Sequence, residues 1–111
     1  MSSLDLFLTR DNFPLIKSKI IAKLQGKVEE AYLFGSSATE KFHSGSDIDL
    51  IIVKDTNLPF ALRAREFLDL HKIFPEIDIL VYSKKELDLK INLNSEFGFW
   101  SSVKETMKKI I

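Results

Sequence analysis

Cysteine is missing from this 111-residue chain, which removes a disulfide framework, a cysteine-based zinc site and a thiol nucleophile together, and suits a reducing compartment. Glycine and proline are scarce, at four and three residues, so collagen-like repeats and flexible-linker character are excluded. Net charge is lacking too. Sixteen Lys and Arg stand against sixteen Asp and Glu, and no global field draws the chain to nucleic acid or an anionic membrane. Strong direct nucleic-acid binding is not expected, and any contact with phosphate calls for a local patch or a metal. Long apolar runs are absent: stretches such as Leu50–Val53 fall far short of the roughly 20 residues a membrane-spanning helix needs. The opening Met-Ser-Ser-Leu-Asp-Leu-Phe-Leu has no basic region and no small-residue cleavage pattern. A secretory signal is therefore not expected, and a cytoplasmic location is.

The residues that are present describe a globular chain, 45% hydrophobic and 29% charged, of a length expected to form one domain over residues 1–111. Asp11-Asn12 before Phe13-Pro14 marks a helix start, Ile16, Ile20, Ala22 and Leu24 follow at near-helical spacing, and Gly26 is a stop. Val28–Phe34, Asp47–Lys54 and Ile77–Tyr82 read as strands. Asn57-Leu58-Pro59 opens a second helix with an apolar stripe of Phe60, Ala64, Phe67, Leu68 and Phe74, ended by Pro75. Ser83 and Glu86 fit a capping box for a short helix, and a last helix is expected from Ser95 to about Ile110. The fold class is α/β (α+β): a small sheet with flanking helices.

The strands are apolar on both faces, so both should be covered, and that makes their acids the anomaly. A carboxylate in a buried strand costs several kcal/mol unless paired or metal-bound. Asp47 and Asp49 alternate to the same side with Cα atoms roughly 7 Å apart, a base from which to share Mg²⁺ through oxygen ligands. Asp78 begins the other apolar strand. If the two strands are neighbours, the three carboxylates converge, and such a trio holds two metal ions about 3.5–4 Å apart for phosphoryl or nucleotidyl transfer. Gly35-Ser36 follows a strand at an expected helix start, where a close backbone, free N–H groups and a hydroxyl suit phosphate oxygens. With eight aspartates in the chain, an isolated D-x-D arises in roughly half of shuffled sequences, but with Gly-Ser at one fixed offset in only about one in five hundred.

The pattern Gly35-Ser36, ten residues, Asp47-Ile48-Asp49, then Asp78 resembles the minimal nucleotidyltransferase domain, a small member of the DNA polymerase beta-like nucleotidyltransferase superfamily. The resemblance runs from the first helix to at least the strand with Asp78. It implies a small mixed β-sheet with flanking helices, two Mg²⁺ ions, and ATP as substrate. By the same resemblance Gly35 and Ser36 contact the phosphates, Asp47 and Asp49 ligate both metals, and Asp78 completes the catalytic metal site and helps position or deprotonate the attacking hydroxyl. Such domains are often paired with a helical HEPN-type RNase toxin. The implied activity is that of an antitoxin that transfers AMP from ATP to a partner hydroxyl, often tyrosine. Glu40 stands where the family motif usually has a second glycine, and Ser37 and Thr39 where it often has arginines. An acid there should weaken nucleotide binding or send the loop along another path.

The remaining candidates read more plainly. His43 belongs to a solvated loop and His71 to the margin of the core. Lys41, Lys104, Lys108 and Lys109 read as surface cations. Phe97, Phe99 and Trp100 crowd four residues, more than one helix buries against a small domain, which points to a protein–protein surface and leaves homo- or hetero-oligomers open. The alternative function is a catalytically weak or inactive binding module that blocks its partner sterically.

Overall fold

The structure is a computed structural model that describes residues 7–41, 46–94 and 97–111. Along the chain come α1 (Phe13–Leu24), β1 (Glu30–Phe34), β2 (Ile48–Val53), α2 (Phe60–Arg63), a stretch of 3-10 turns (Ala64–Lys72), β3 (Ile77–Tyr82), α3 (Lys84–Asn94), α4 (Gly98–Thr106) and β4 (Lys108–Lys109). The strands form one mixed sheet in the order β3-β2-β1-β4, with β1 antiparallel to β2 and β4, and β3 parallel to β2. A parallel pair needs a crossover, which α2 and the 3-10 stretch supply.

Alternation along β2 explains the layers. Ile48, Leu50 and Ile52 face α1 and the crossover, in a core with Ile16, Ile20, Leu70 and Phe74. Ile51 and Val53 face the other way, onto Leu87 of α3, Val103 of α4 and Phe34. All five aliphatic side chains of β2 are fully buried, each worth about 1.5–3 kcal/mol against exposure. Both sheet faces are therefore covered, as the two-sided apolar pattern predicts. Asp49 is the only β2 residue that keeps partial exposure.

In the turn leading into α1, Thr9 and Asn12 bond reciprocally: the Thr9 N–H donates to Asn12 Oδ1 (2.8 Å) and the Asn12 N–H to Thr9 Oγ1 (3.1 Å). The helix begins at Phe13 with Asn12 at the cap position, as Asp11-Asn12-Phe13-Pro14 predicts, and the Thr9–Asn12 pair fixes the turn before it. Later boundaries differ from the sequence-based expectations. The expected second helix is one α-turn followed by 3-10 turns broken at Phe67. It buries Phe67 and Leu70, three residues apart as in 3-10 turns, with Phe74 buried just beyond it, and it leaves Phe60 and Leu68 about half exposed. The last helix stops at Thr106 rather than near Ile110, because the chain is drawn onto the edge of β1. Lys108 and Lys109 pair with Leu33 and Tyr32, and the Ile110 N–H reaches the Ala31 carbonyl (2.8 Å). The start of that helix expected at Ser95 lies outside the described residues.

The capping box forms as read: the Ser83 N–H donates to the Glu86 carboxylate (2.8 Å) and the Glu86 N–H to Ser83 Oγ (3.2 Å). Among the described residues no helix is long and apolar enough to cross a membrane.

Candidate active site

Strand register brings the acids together. Asp49 and Asp78 are direct partners across the parallel β2–β3 pair, so their side chains leave the same face on backbones about 4.8 Å apart. That face is the one covered by α3 and α4. Asp47 lies just before β2, two residues from Asp49 and partly buried, whereas Asp78 is exposed.

Burial pushes the Asp49 carboxyl up to about 6, helped by the negative charges of Asp78 and Asp47 and by a hydrogen bond with Asp78. Three acids are thus electrostatically coupled on one face. Among the described residues, however, no three His, Cys, Asp or Glu side chains stand close enough to enclose one ion. The structure places Asp49 against Asp78, with Asp47 acting on Asp49 through its charge. An all-oxygen donor set with uncompensated repulsion fits a hard divalent cation, which would relieve that repulsion.

Gly35 forms the floor. Phe34 pairs with Asp49 across β1–β2, so the next residue turns under the Asp49 carboxylate. Gly35 has φ +72°, and a Cβ built on it would lie 2.7 Å from Asp49 Oδ2. Glycine is required twice over, by the left-handed backbone and by the close approach. Its N–H is not free for phosphate as expected: it donates to the Thr106 hydroxyl at 2.9 Å.

The helix expected at Gly35-Ser36 is a single turn. The Thr39 N–H reaches the Gly35 carbonyl (3.3 Å), then Lys41 N–H bonds the Ser36 carbonyl (3.1 Å) and Glu40 N–H the Ser37 carbonyl (3.4 Å). That pair of bonds is a Schellman closure, whose left-handed position glycine usually fills. Here Glu40 fills it, at φ +56°. The missing family glycine thus has a backbone meaning, and the acid sits exposed on the turn. Of the two serines, Ser37 is fully buried and its hydroxyl donates to the Phe34 carbonyl (3.4 Å). Ser36, partly exposed, is the hydroxyl available to a ligand.

His43 lies outside the described residues. His71 is a core-margin residue whose Nε2 lies 2.9 Å from the Ile77 carbonyl, so that nitrogen carries the proton. Lys41, Lys104, Lys108 and Lys109 are exposed, and Lys109 pairs with Glu30 at 3.4 Å. The aromatic group divides: Phe97 and Phe99 are 84% and 52% exposed, while Trp100 packs partly buried with Tyr82 at 5.5 Å. Phe99 meets Phe34 edge-on at 5.7 Å, next to the Gly35 corner. Sequence reading missed Thr106, which lies 71 positions from its partner and carries no motif.

Against curated proteins the chain has no match. A chain in a crystal structure of a toxin-antitoxin with AMP-PNP is similar at 18% identity and a TM-score of 0.46, covering 92% of this chain and 73% of that one. The family model for polymerase beta, nucleotidyltransferase, matches residues 17–97, a span that takes in the Gly35-Ser36 turn and all three aspartates. With well over half its length matched, the chain belongs to the polymerase beta nucleotidyltransferase family.

Proposed function

We propose that this protein is a Mg²⁺-dependent nucleotidyltransferase that transfers AMP from ATP to a hydroxyl of a partner protein, acting as the antitoxin of a HEPN-type RNase toxin. The observation that carries the transferase reading is the Asp49–Asp78 register with Gly35 pressed beneath Asp49. Asp49 and Asp78 would hold magnesium, with Asp47 drawn toward the cation, and the bound metal would neutralise triphosphate charge. The chain's own groups do the rest. The Ser36 hydroxyl and the N–H groups that directly follow Gly35 seat the phosphates, and Asp78 orients the acceptor hydroxyl and takes its proton. The acceptor oxygen bonds to the α-phosphorus as the bond to the β-phosphate oxygen breaks, and pyrophosphate leaves.

The partner reading rests on the family resemblance and on the apolar surface of Phe97, Phe99 and Leu93. Incubating the protein with α-phosphate-labelled ATP, Mg²⁺ and a HEPN-type partner should label the partner. Equal labelling by Asp49→Asn, or none by wild type, would overturn catalysis. The same exposed surface favours one other reading, a steric antitoxin, which wins if neutralisation survives Asn at positions 47, 49 and 78 together.

A further inference from the structure

We propose that Thr106 is a positioning residue of the site, whose hydroxyl holds the Gly35 peptide so that the turn beginning at Ser36 faces the Asp49 carboxylate. The inference rests on the nucleotidyltransferase reading and extends it to a residue beyond the family-matched span, 17–97. Phe34↔Asp49 is the last pair of the β1–β2 ladder, so the Gly35 N–H passes beyond the strand and takes the Thr106 hydroxyl instead, at 2.9 Å. That hydroxyl's single proton is committed to the Ser102 carbonyl at 2.7 Å, which aims its lone pairs at Gly35.

Gly35 is thereby held from three sides: a left-handed backbone, the Asp49 carboxylate where a side chain would be, and Thr106 on its N–H. Rotation of the Phe34–Gly35 peptide would re-aim the following N–H groups and the Ser36 hydroxyl, the donors assigned to phosphate. Thr106 is itself fixed. It is the last residue of α4, and two residues later Lys108 is registered on Leu33 of β1. From the same helix, Phe99 packs against Phe34. α4 thus grips the corner at two adjacent residues, Phe34 and Gly35, and β4 secures Leu33 just before them.

The test compares Thr106→Val, which keeps the shape and loses the hydroxyl, with Thr106→Ser, which keeps the hydroxyl. Positioning predicts that Thr106→Val raises KM for Mg²⁺–ATP about tenfold with kcat reduced less, and that Thr106→Ser stays within about twofold of wild type. A purely structural role predicts lower kcat in proportion to folded protein and an unchanged KM, which would overturn the proposal. Amide hydrogen exchange separates this from failure of the enzymatic reading. Even if wild type neither binds nor turns over ATP, Gly35 should exchange at least tenfold faster in Thr106→Val, with Leu33 unchanged. Equal Gly35 protection in the two variants would refute the claim whatever the activity.

Discussion

Replacing Asp49 by Asn should stabilise the protein in the absence of divalent cations, and only at pH values where the aspartate is ionised. The folded-state pKa is raised from the ordinary 3.8 to about 6, first by burial and then by Asp78 and Asp47. A carboxyl raised in this way carries no penalty below its unfolded value. Stability is lost as pH climbs through the window from about 4 to about 6. At roughly 1.4 kcal/mol per pH unit the full penalty would approach ~3 kcal/mol, and solvent screening at a partly exposed side chain reduces it to about 1–2 kcal/mol. Thermal unfolding with a chelator present checks this. At pH 7.5 Asp49→Asn should melt roughly 4–8 °C above wild type, and at pH 4 the two should coincide. Millimolar Mg²⁺ should raise the wild-type Tm and leave the variant unmoved. A variant less stable than wild type at pH 7.5, or a difference that does not change with pH, would refute the reasoning.

Other substitutions probe the same geometry. Glu40→Gly relieves a left-handed residue costing about 1–2 kcal/mol and loosens the unfolded chain by somewhat less, so urea unfolding should show a net gain of about 0.5–1 kcal/mol. Gly35→Ala puts a Cβ 2.7 Å from Asp49 Oδ2 at φ +72°, and should cost at least about 1–2 kcal/mol in the same assay while abolishing ATP binding. Arg63 forks onto Glu86 at 2.7 and 3.2 Å and, with the Ser83 N–H, lowers the Glu86 pKa to about 2. That contribution is complete above about pH 4.5 and is lost as pH falls toward 2. Because Glu86 is 42% exposed, it amounts to on the order of 1 kcal/mol. Glu86→Gln should flatten this part of the acid-unfolding curve.

What was legible in the sequence followed from strong periodicity and fixed spacing. β2 and β3 are short runs of β-branched and aliphatic residues with one acid each, so their existence is legible, whereas the convergence of Asp49 and Asp78 depends on the strands being neighbours, which the β2–β3 register supplies. The Ser83–Glu86 box is a three-residue signal, and it formed. Where tertiary pairing decided the outcome, the reading went astray. Phe60 and Leu68 fit a 3.6-residue stripe, yet the crossover winds at three per turn to bury Leu70 instead. Residues after Thr106 continue a helical pattern locally, but the open edge of β1 offers hydrogen bonds that the helix end cannot match. Glu40 looked like a missing glycine and a misplaced charge. Its left-handed φ shows that the backbone keeps the glycine-like turn and carries strain there. Thr106 has no local signal at all, since its role depends on a contact between residues 71 positions apart.

Catalysis of the proposed kind depends on magnesium-bound ATP seating at the Asp49–Asp78 pair over Gly35. Calorimetric titration of ATP into wild type, Asp49→Asn and Asp78→Asn, each with Mg²⁺ and with chelator, tests it most directly. Binding should require Mg²⁺ and weaken at least about tenfold in both variants. ATP binding with equal affinity in chelator, or unchanged in either variant, would contradict a magnesium–ATP site at this pair.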